Sequence, residues 1–328
     1  MKRRIFLRAD GNSEIGLGHI VRLIALAEIV GKEKFTFIFC SNDVTASIKE
    51  GIVKFGTYIN IYQDEEVLFS NLNSDDIVVI DGYSFDELYQ KKIKSIGCTL
   101  VNIDDLHNKF YWADIVINHA GGAKREMYRG APYTKFYLGF SYCLLREEFR
   151  LAASRQREIK TLSRAFISFG GSHSSSIYAE KMTKYLLEYK FFEEIRVLLA
   201  QGDDPQTFME SVLNNSRVKI LQNLHAGQVS ELISGSDLAV VPSSTLSFEA
   251  YAIGVFMITG LTAENQRDIF NGYEGCDFVF KVNSFDTLNE SKLSEAITYF
   301  KNLSKPYLID RQINSDGIKR IFNELLRD

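Results

Sequence analysis

Two glycines with a single residue between them, followed at once by a histidine, form Gly16-Leu17-Gly18-His19. This stretch stands between the apolar run Ile5-Phe6-Leu7-Arg8 and a helical pattern that begins near Ile20. Strand, glycine turn and helix in that order let backbone approach a ligand closely, and the N–H groups at the helix start favour anionic oxygens. The positive end of a helix also favours the neutral imidazole, so His19 there can accept a proton near neutral pH. A second segment follows the same grammar. Ser243-Ser244-Thr245-Leu246-Ser247-Phe248-Glu249-Ala250 comes straight after the apolar run Leu238-Ala239-Val240-Val241. Its hydroxyls and N–H groups suit a diphosphate, and Glu249, about a turn further on, could accept the two hydroxyls of a ribose. Serine and threonine also cap helices with no ligand in view, so this segment alone has a plain structural reading as well. Gly170-Gly171, after Ala165-Phe166-Ile167-Ser168, is either a turn or a place where backbone meets a ligand.

Familiar glycine motifs fail in detail. Gly16-Leu17-Gly18-His19-Ile20-Val21 lacks the third glycine of a dinucleotide-binding loop, even though Asp43 follows the second strand, and no Gly-Lys-Ser/Thr marks a phosphate loop of the ATPase type. The formal charge of -4, with mixed signs and no run of lysine or arginine, argues against a nucleic-acid surface. Cys40, Cys98, Cys143 and Cys276 lie far apart and form no C-x-x-C pair, which fits free thiols in a reducing compartment. No apolar run approaches the roughly 20 residues of a membrane span, and the charged start Met1-Lys2-Arg3-Arg4 leads into a strand, not a signal-peptide core. These features predict a cytoplasmic protein.

The elements that must position these residues repeat regularly. Apolar or β-branched runs at 4–8, 35–40, 57–61, 76–80, 99–103 and 115–118 alternate with helical patterns at 19–31, 43–51, 64–71 and 84–97. A second series has strand candidates at 165–168, 194–199, 217–221, 237–241, 255–258 and 277–280. With 328 residues and 45% hydrophobic content, the chain is long enough for two α/β domains. The expected fold is α/β, with two doubly wound Rossmann-like domains facing a cleft, one over 1–155 and one over 156–328. The charged stretch 146–160 joins them, and the helical spacing of 308–327 suggests a last helix packing back on the first domain. Loops at the carboxyl ends of the strands become the candidate site. In the first domain they hold Gly16 to His19, Asp81-Gly82-Tyr83, Asp104-Asp105 and Asn118-His119. In the second they hold Gly170-Gly171-Ser172, the 243–245 loop and Asn265-Gln266.

Taken together, Ile15 to Arg22 (I-G-L-G-H-I-x-R), Gly139 to Phe149 (G-F-S-Y-x-L-x-R-E-E-F), F-G-G at 169–171, S-S-T-L-S-F-E-A and E-N-Q resemble a known family across most of the chain. It is the nucleotide-sugar hydrolase family of pseudaminic acid biosynthesis, related to SpsG proteins and, more distantly, to the MurG glycosyltransferase with its GT-B fold. The resemblance implies inverting hydrolysis of a UDP-sugar at the anomeric C–O bond, releasing UDP and free sugar, with no metal and no cofactor. It implies His19 as the catalytic histidine, with Tyr83 and Asn265 near the reaction centre. Gly16 and Gly18 would make room for the sugar and Gln266 would reach toward it, Arg22 and Asn118 would bind substrate, Gly170 and Gly171 would meet the diphosphate or base, Ser244, Thr245 and Leu246 the diphosphate, and Glu249 the ribose. Gly82 departs from relatives that carry a histidine there. In this reading Gly16 and Gly18 make room for sugar, and the diphosphate belongs to the second domain. The protein would act as a monomer on a small-molecule substrate.

Other residues have weaker claims. Asp104-Asp105 could orient a catalytic group or cap the next element, and His119 could touch sugar or serve its loop. His107, His173 and His225 read as solvated or capping residues. A GT-B glycosyltransferase, a UDP-sugar 2-epimerase and a non-catalytic nucleotide-sugar sensor would use many of the same loops.

Overall fold

The computed structural model describes residues 2–11, 17–42, 44, 46–61, 64–170, 175–303 and 306–326. The chain divides into two units, Met1–Glu147 with Asn314–Asp328, and Glu148–Ile313. In the first, seven parallel strands lie in the spatial order Gly56–Asn60, Phe35–Ser41, Arg3–Ala9, Ile77–Asp81, Thr99–Ile103, Ile115–Asn118 and Lys135–Leu138. The central strands are apolar along their length because helices cover both faces. On one face Ile5, Leu7, Phe35 and Phe37 pack with Leu23 and Leu26 of helix Gly18–Val30 and with Ile318 and Phe322 of helix Asp316–Glu324. On the other, Phe6, Val78, Ile80 and Leu100 pack with Leu68, Phe85 and Ile93.

Register then sets where chemistry can collect. Ala9 pairs with Asp81, and Asp81 with Ile103, so three neighbouring strands end level with one another. Strand order reverses between Arg3–Ala9 and Ile77–Asp81, and such a switch point opens a crevice at the carboxyl ends. The second unit repeats the design with six parallel strands in the order Val218–Leu221, Glu194–Leu198, Arg164–Ile167, Leu238–Pro242, Phe256–Leu261 and Val279–Ser284. Its switch point falls between Arg164–Ile167 and Leu238–Pro242. At Gly260 the strands approach so closely that a Cβ would clash with the Val282 carbonyl oxygen, so only glycine fits.

Several elements differ from the sequence reading. Lys135–Leu138 is a seventh strand, short, only partly buried and at the sheet edge, where four residues carry too little pattern to stand out. The stretch 146–160 is not a bare connection. It forms helix Glu147–Ala153, anchored by the buried Phe149, and strand Glu158–Ile159, which pairs antiparallel with Tyr307–Leu308. The last helix begins at Asp316, not near 308, and the first unit gives way to the second at Glu147/Glu148, ahead of residue 155. Cys40, Cys98 and Cys143 are buried free thiols and Cys276 is partly covered. Burial pushes the Cys40 thiol up to about 12 and Cys98 to about 11, so neither is a ready nucleophile. Among the described residues, no helix is long and apolar enough to cross a membrane.

Helix Asp316–Glu324 presents Ile318, Ile321, Phe322 and Leu325 at the spacing of one helical face, and Phe322 meets Phe35 edge-on at 6.1 Å. Phe322→Ala is expected to cost about 3–5 kcal/mol in urea denaturation, the usual loss for emptying a packed phenylalanine site. A loss below about 1 kcal/mol would show that the helix is not part of the core.

Candidate functional site

Helix Gly18–Val30 starts at the carboxyl end of the sheet, and its His19 and Arg22 are three residues apart, hence on one face. That face looks onto the last residue of strand Ile77–Asp81. Asp81 is fully buried, and its Oδ1 lies 2.7 Å from His19 Nδ1 and 2.6 Å from Arg22 Nη2, while Oδ2 accepts from Arg22 Nε at 2.9 Å. Arg22 Nη1 donates to Asp105 Oδ1 at 2.6 Å. Arg22 Nη2 also lies 2.8 Å from His19 Nδ1. Arg22 Nη2 already donates to Asp81 Oδ1, so we assign Nδ1–H as donor to the same carboxylate, which leaves the lone pair on Nε2. The result is a carboxylate–imidazole pair with a base at its outer end, the arrangement used for general-base chemistry.

Around this pair the first unit adds three groups. Tyr83 packs edge-on against His19 with ring centroids 4.8 Å apart, remains 49% exposed, and donates its hydroxyl to Asp105 Oδ2 at 3.4 Å. Burial by itself would raise the Asp105 carboxyl, but the charge and hydrogen bond of Arg22 override it and hold that group at about 2. His119, 1% exposed, is pushed down to about 4, first by burial and then by the Arg22 charge, and so stays neutral. Among the described residues, nothing lies within 4 Å of where a Cβ of Gly18 would stand.

The adjacent acid behaves differently. Asp104 Oδ2 accepts from the N–H groups of Leu106 and His107 at 3.1 and 2.8 Å, so it shapes the loop that puts His107 at a φ of 42°. Asn118 is fully buried, with its amide donating to the Tyr128 hydroxyl and accepting from Ala120 N, both at 2.8 Å. It fixes the loop that carries His119. Arg22, expected to touch substrate, is instead turned inward. It is 5% exposed with Nε, Nη1 and Nη2 all engaged by carboxylates. The sequence reading places Asp81 in a candidate loop, as an acid ending the apolar run Ile77-Val78-Val79-Ile80, but gives it no role; its pairing with His19 and Arg22 is what the fold adds.

In the second unit the switch-point loops hold Gly170 and residues 243–246. Gly170 has a φ of +71°, a conformation that favours glycine, and none of the described residues lies within 4 Å of its missing Cβ. Helix Thr245–Ile253 starts without a side-chain cap from Ser244, while Ser244, Thr245 and Leu246 are partly exposed. The loop is braced beneath. The Ser243 and Thr259 hydroxyls are 3.0 Å apart, and Ser247 Oγ donates to the Ser244 carbonyl at 2.7 Å. Glu249, one turn along, is 2% exposed. Gln266 folds back on Thr262, whose N–H it accepts at 2.9 Å, and Asn265 stands exposed in the turn Glu264–Gln266. A cavity of about 570 Å³ opens at the ends of strands Phe256–Leu261 and Val279–Ser284, with Glu264, Asn283 and Asp286 in its wall. His225 caps helix Ala226–Ser234 in a reciprocal box with Gln228. Gly16, Gly171, Ser172, His173 and Asp43 lie outside the described residues. Among the described residues, no group of three or more His, Cys, Asp or Glu side chains could hold a metal ion.

Two of these groups make the stability of the fold depend on pH, in separate windows. His119 is depressed from 6.5 to about 4, so its contribution is complete above 6.5 and is lost as pH falls toward 4. Asp105, lowered from 3.8 to about 2, contributes fully above 3.8 and loses that contribution as pH falls toward 2. Urea denaturation across pH should therefore show a flatter slope between pH 6.5 and 4 for His119→Gln than for wild type, and identical slopes would refute the assignment.

No protein-family model matches the chain. It is 27% identical over 292 residues to an uncharacterized protein of Methanocaldococcus jannaschii, covering 82% of this chain and 58% of that one. It is 29% identical over 177 residues to the UDP-2,4-diacetamido-2,4,6-trideoxy-beta-L-altropyranose hydrolase of Campylobacter jejuni, covering 52% and 61% respectively. With the spore coat polysaccharide biosynthesis protein SpsG of Bacillus subtilis it shares 22% identity over 263 residues, covering 79% and 77%. The alignments thus span about three fifths of the first two relatives. Among solved structures, Acinetobacter baumannii MurG superposes with a TM-score of 0.67 at 10% identity, covering all of both chains. The UDP-GlcNAc 2-epimerase of Methanocaldococcus jannaschii does so with a TM-score of 0.59 at 14% identity, again over all of both. Two Rossmann-like units of the GT-B type are the fold this chain shares with them.

Proposed function

We propose that this protein hydrolyses a UDP-activated diacetamido-trideoxy sugar at its anomeric C–O bond, with inversion. The observation that carries the reading is the His19–Asp81 pair at the switch point of the first sheet, with Nδ1 2.7 Å from the carboxylate; the tautomer assigned to it makes Nε2 the base. Water would attack the anomeric carbon from the face opposite UDP while Nε2 takes its proton. The C–O bond to the diphosphate breaks and its electron pair leaves on the phosphate oxygen. Asp81 then faces the imidazolium that forms, as an anion already in place.

The remaining roles follow the resemblance residue by residue. The resemblance assigns Tyr83 and Asn265 to the reaction centre, and Gly16, Gly18 and Gln266 to the sugar. Asn118 acts through the loop it fixes. Ser244, Thr245 and Leu246, at an uncapped helix start, suit the diphosphate together with Gly170 and Gly171. Glu249 suits the ribose hydroxyls. The printed name of the Campylobacter jejuni relative supports the substrate class, and SpsG supports a place in surface-glycan synthesis. Likeness to MurG keeps a transferase in view, since a sugar hydroxyl in place of water would use the same base and the same loops.

An assay of UDP release from a panel of UDP-amino sugars separates the two. UDP is expected to appear without any added acceptor, and His19→Ala should slow its release by about 10²–10⁴-fold, the usual contribution of a general base. Turnover that needs an acceptor sugar would sink the hydrolase reading. By titration calorimetry, Glu249→Gln should weaken UDP binding by roughly tenfold or more, as for a lost hydrogen bond to a charged group. Unchanged affinity would remove Glu249 from the ribose site.

A further inference from the structure

The pairing of His19 with Asp81 leaves a problem that a neighbouring residue resolves. Arg22 Nη2 lies 2.8 Å from His19 Nδ1, and a guanidinium at that distance opposes the positive charge His19 gains when it takes a proton from water. Asp81, although it holds His19, is shared with two nitrogens of the same arginine. A further anion is needed for Arg22 to be neutralised from another side. Asp105 supplies it, with Oδ1 at 2.6 Å from Arg22 Nη1 and Oδ2 accepting the Tyr83 hydroxyl at 3.4 Å.

We propose that Asp105 is a positioning residue for the hydrolysis: it neutralises Arg22 from the side away from His19 and tethers Tyr83 against the imidazole. The inference rests on the reading of His19 as the base. The groups facing Asp105 are Arg22 and His19 from helix Gly18–Val30, Tyr83 and Asp81 from strand Ile77–Asp81 and its loop, Asp104 beside it, and His119 from the loop after Ile115–Asn118. Asp104 is directed to backbone N–H groups and His119 is neutral, so Asp105 is the carboxylate that faces Arg22 opposite Asp81. With His19 neutral, the set of His19, Arg22, Asp81 and Asp105 holds two anions and one cation. With His19 protonated it is balanced, so the site becomes neutral at the moment the reaction needs a proton stored. Because Tyr83 shares the same carboxylate, the ring that packs on His19 is fixed by the group that sets the charge.

The test is Asp105→Asn in the full chain, assayed by UDP release across pH. The expected result is a fall in kcat of roughly 10–100-fold, smaller than the roughly 10²–10³-fold for a lost group that touches the reacting atoms, because Asp105 acts through Arg22 and Tyr83. KM should change less than about threefold, and the acidic limb of the kcat profile should move to lower pH because an anion near the base has been removed. Unchanged kcat and an unchanged limb, with His19→Ala inactive in the same assay, would overturn the role of Asp105 and leave the hydrolase reading standing. A fully active His19→Ala would instead bring down the reading on which the inference rests. Should Asp105→Asn fail to fold, Asp105→Ala assayed with added formate keeps the question open to refutation. Rate restored by formate supports a charge role, whereas no response to formate refutes it.

Discussion

A guanidinium buried against two carboxylates fixes the first unit's site before any ligand arrives. Taking such charges out of water costs several kcal/mol per ion unless each finds a partner with good geometry. Arg22 meets that demand because its planar fork offers Nε and Nη2 to Asp81 and Nη1 to Asp105 at once. A lysine in its place would bring a single ammonium and could not span both. The arginine thereby locks the start of helix Gly18–Val30 to the ends of two strands. His19 has its position because Arg22, one turn further along the same face, has no other low-energy place to go.

The two units use one topology for opposite electrostatics. At the first switch point the loops deliver charged and titratable groups, His19, Asp81, Asp105 and His119, buried or nearly so. At the second they deliver neutral hydroxyls, glycine backbone and an uncapped helix start. Two carboxylates beside His19 make the first crevice a poor place for a diphosphate. The second, with N–H groups and no exposed acid in its 243–246 loop, is a good one. In the proposed function, equal folds thus divide proton chemistry from anion binding through the residues that end their strands.

Much of this was legible from periodicity. The runs at 35–40, 99–103 and 115–118 fall on strands Phe35–Ser41, Thr99–Ile103 and Ile115–Asn118, since a strand buried on both faces reads as an unbroken apolar segment. Lys135–Leu138 escaped because an edge strand is only half covered, and helix Glu147–Ala153 because its charged surface conceals a single buried anchor, Phe149. In the site, glycine spacing and helix position drew attention to His19. The pairing of Asp81 and the inward turn of Arg22 were not legible, because pairing across 59 residues depends on register, which local sequence does not encode. Asp104 and Asp105 are indistinguishable as letters. In the fold, one braces its own loop and the other meets Arg22.

Helix Asp316–Glu324 carries a consequence for how the chain matures. Ile318 and Phe322 complete a core whose other members, Ile5 and Leu23 among them, lie about three hundred residues earlier, and the whole second unit intervenes. During synthesis the first sheet must therefore wait, with part of its apolar face uncovered, until the second unit has left the ribosome. Contacts of such long sequence separation form late, because the loop they close is long. The second unit can fold as soon as it is made, so the half of the protein that begins the sequence is the half that finishes last.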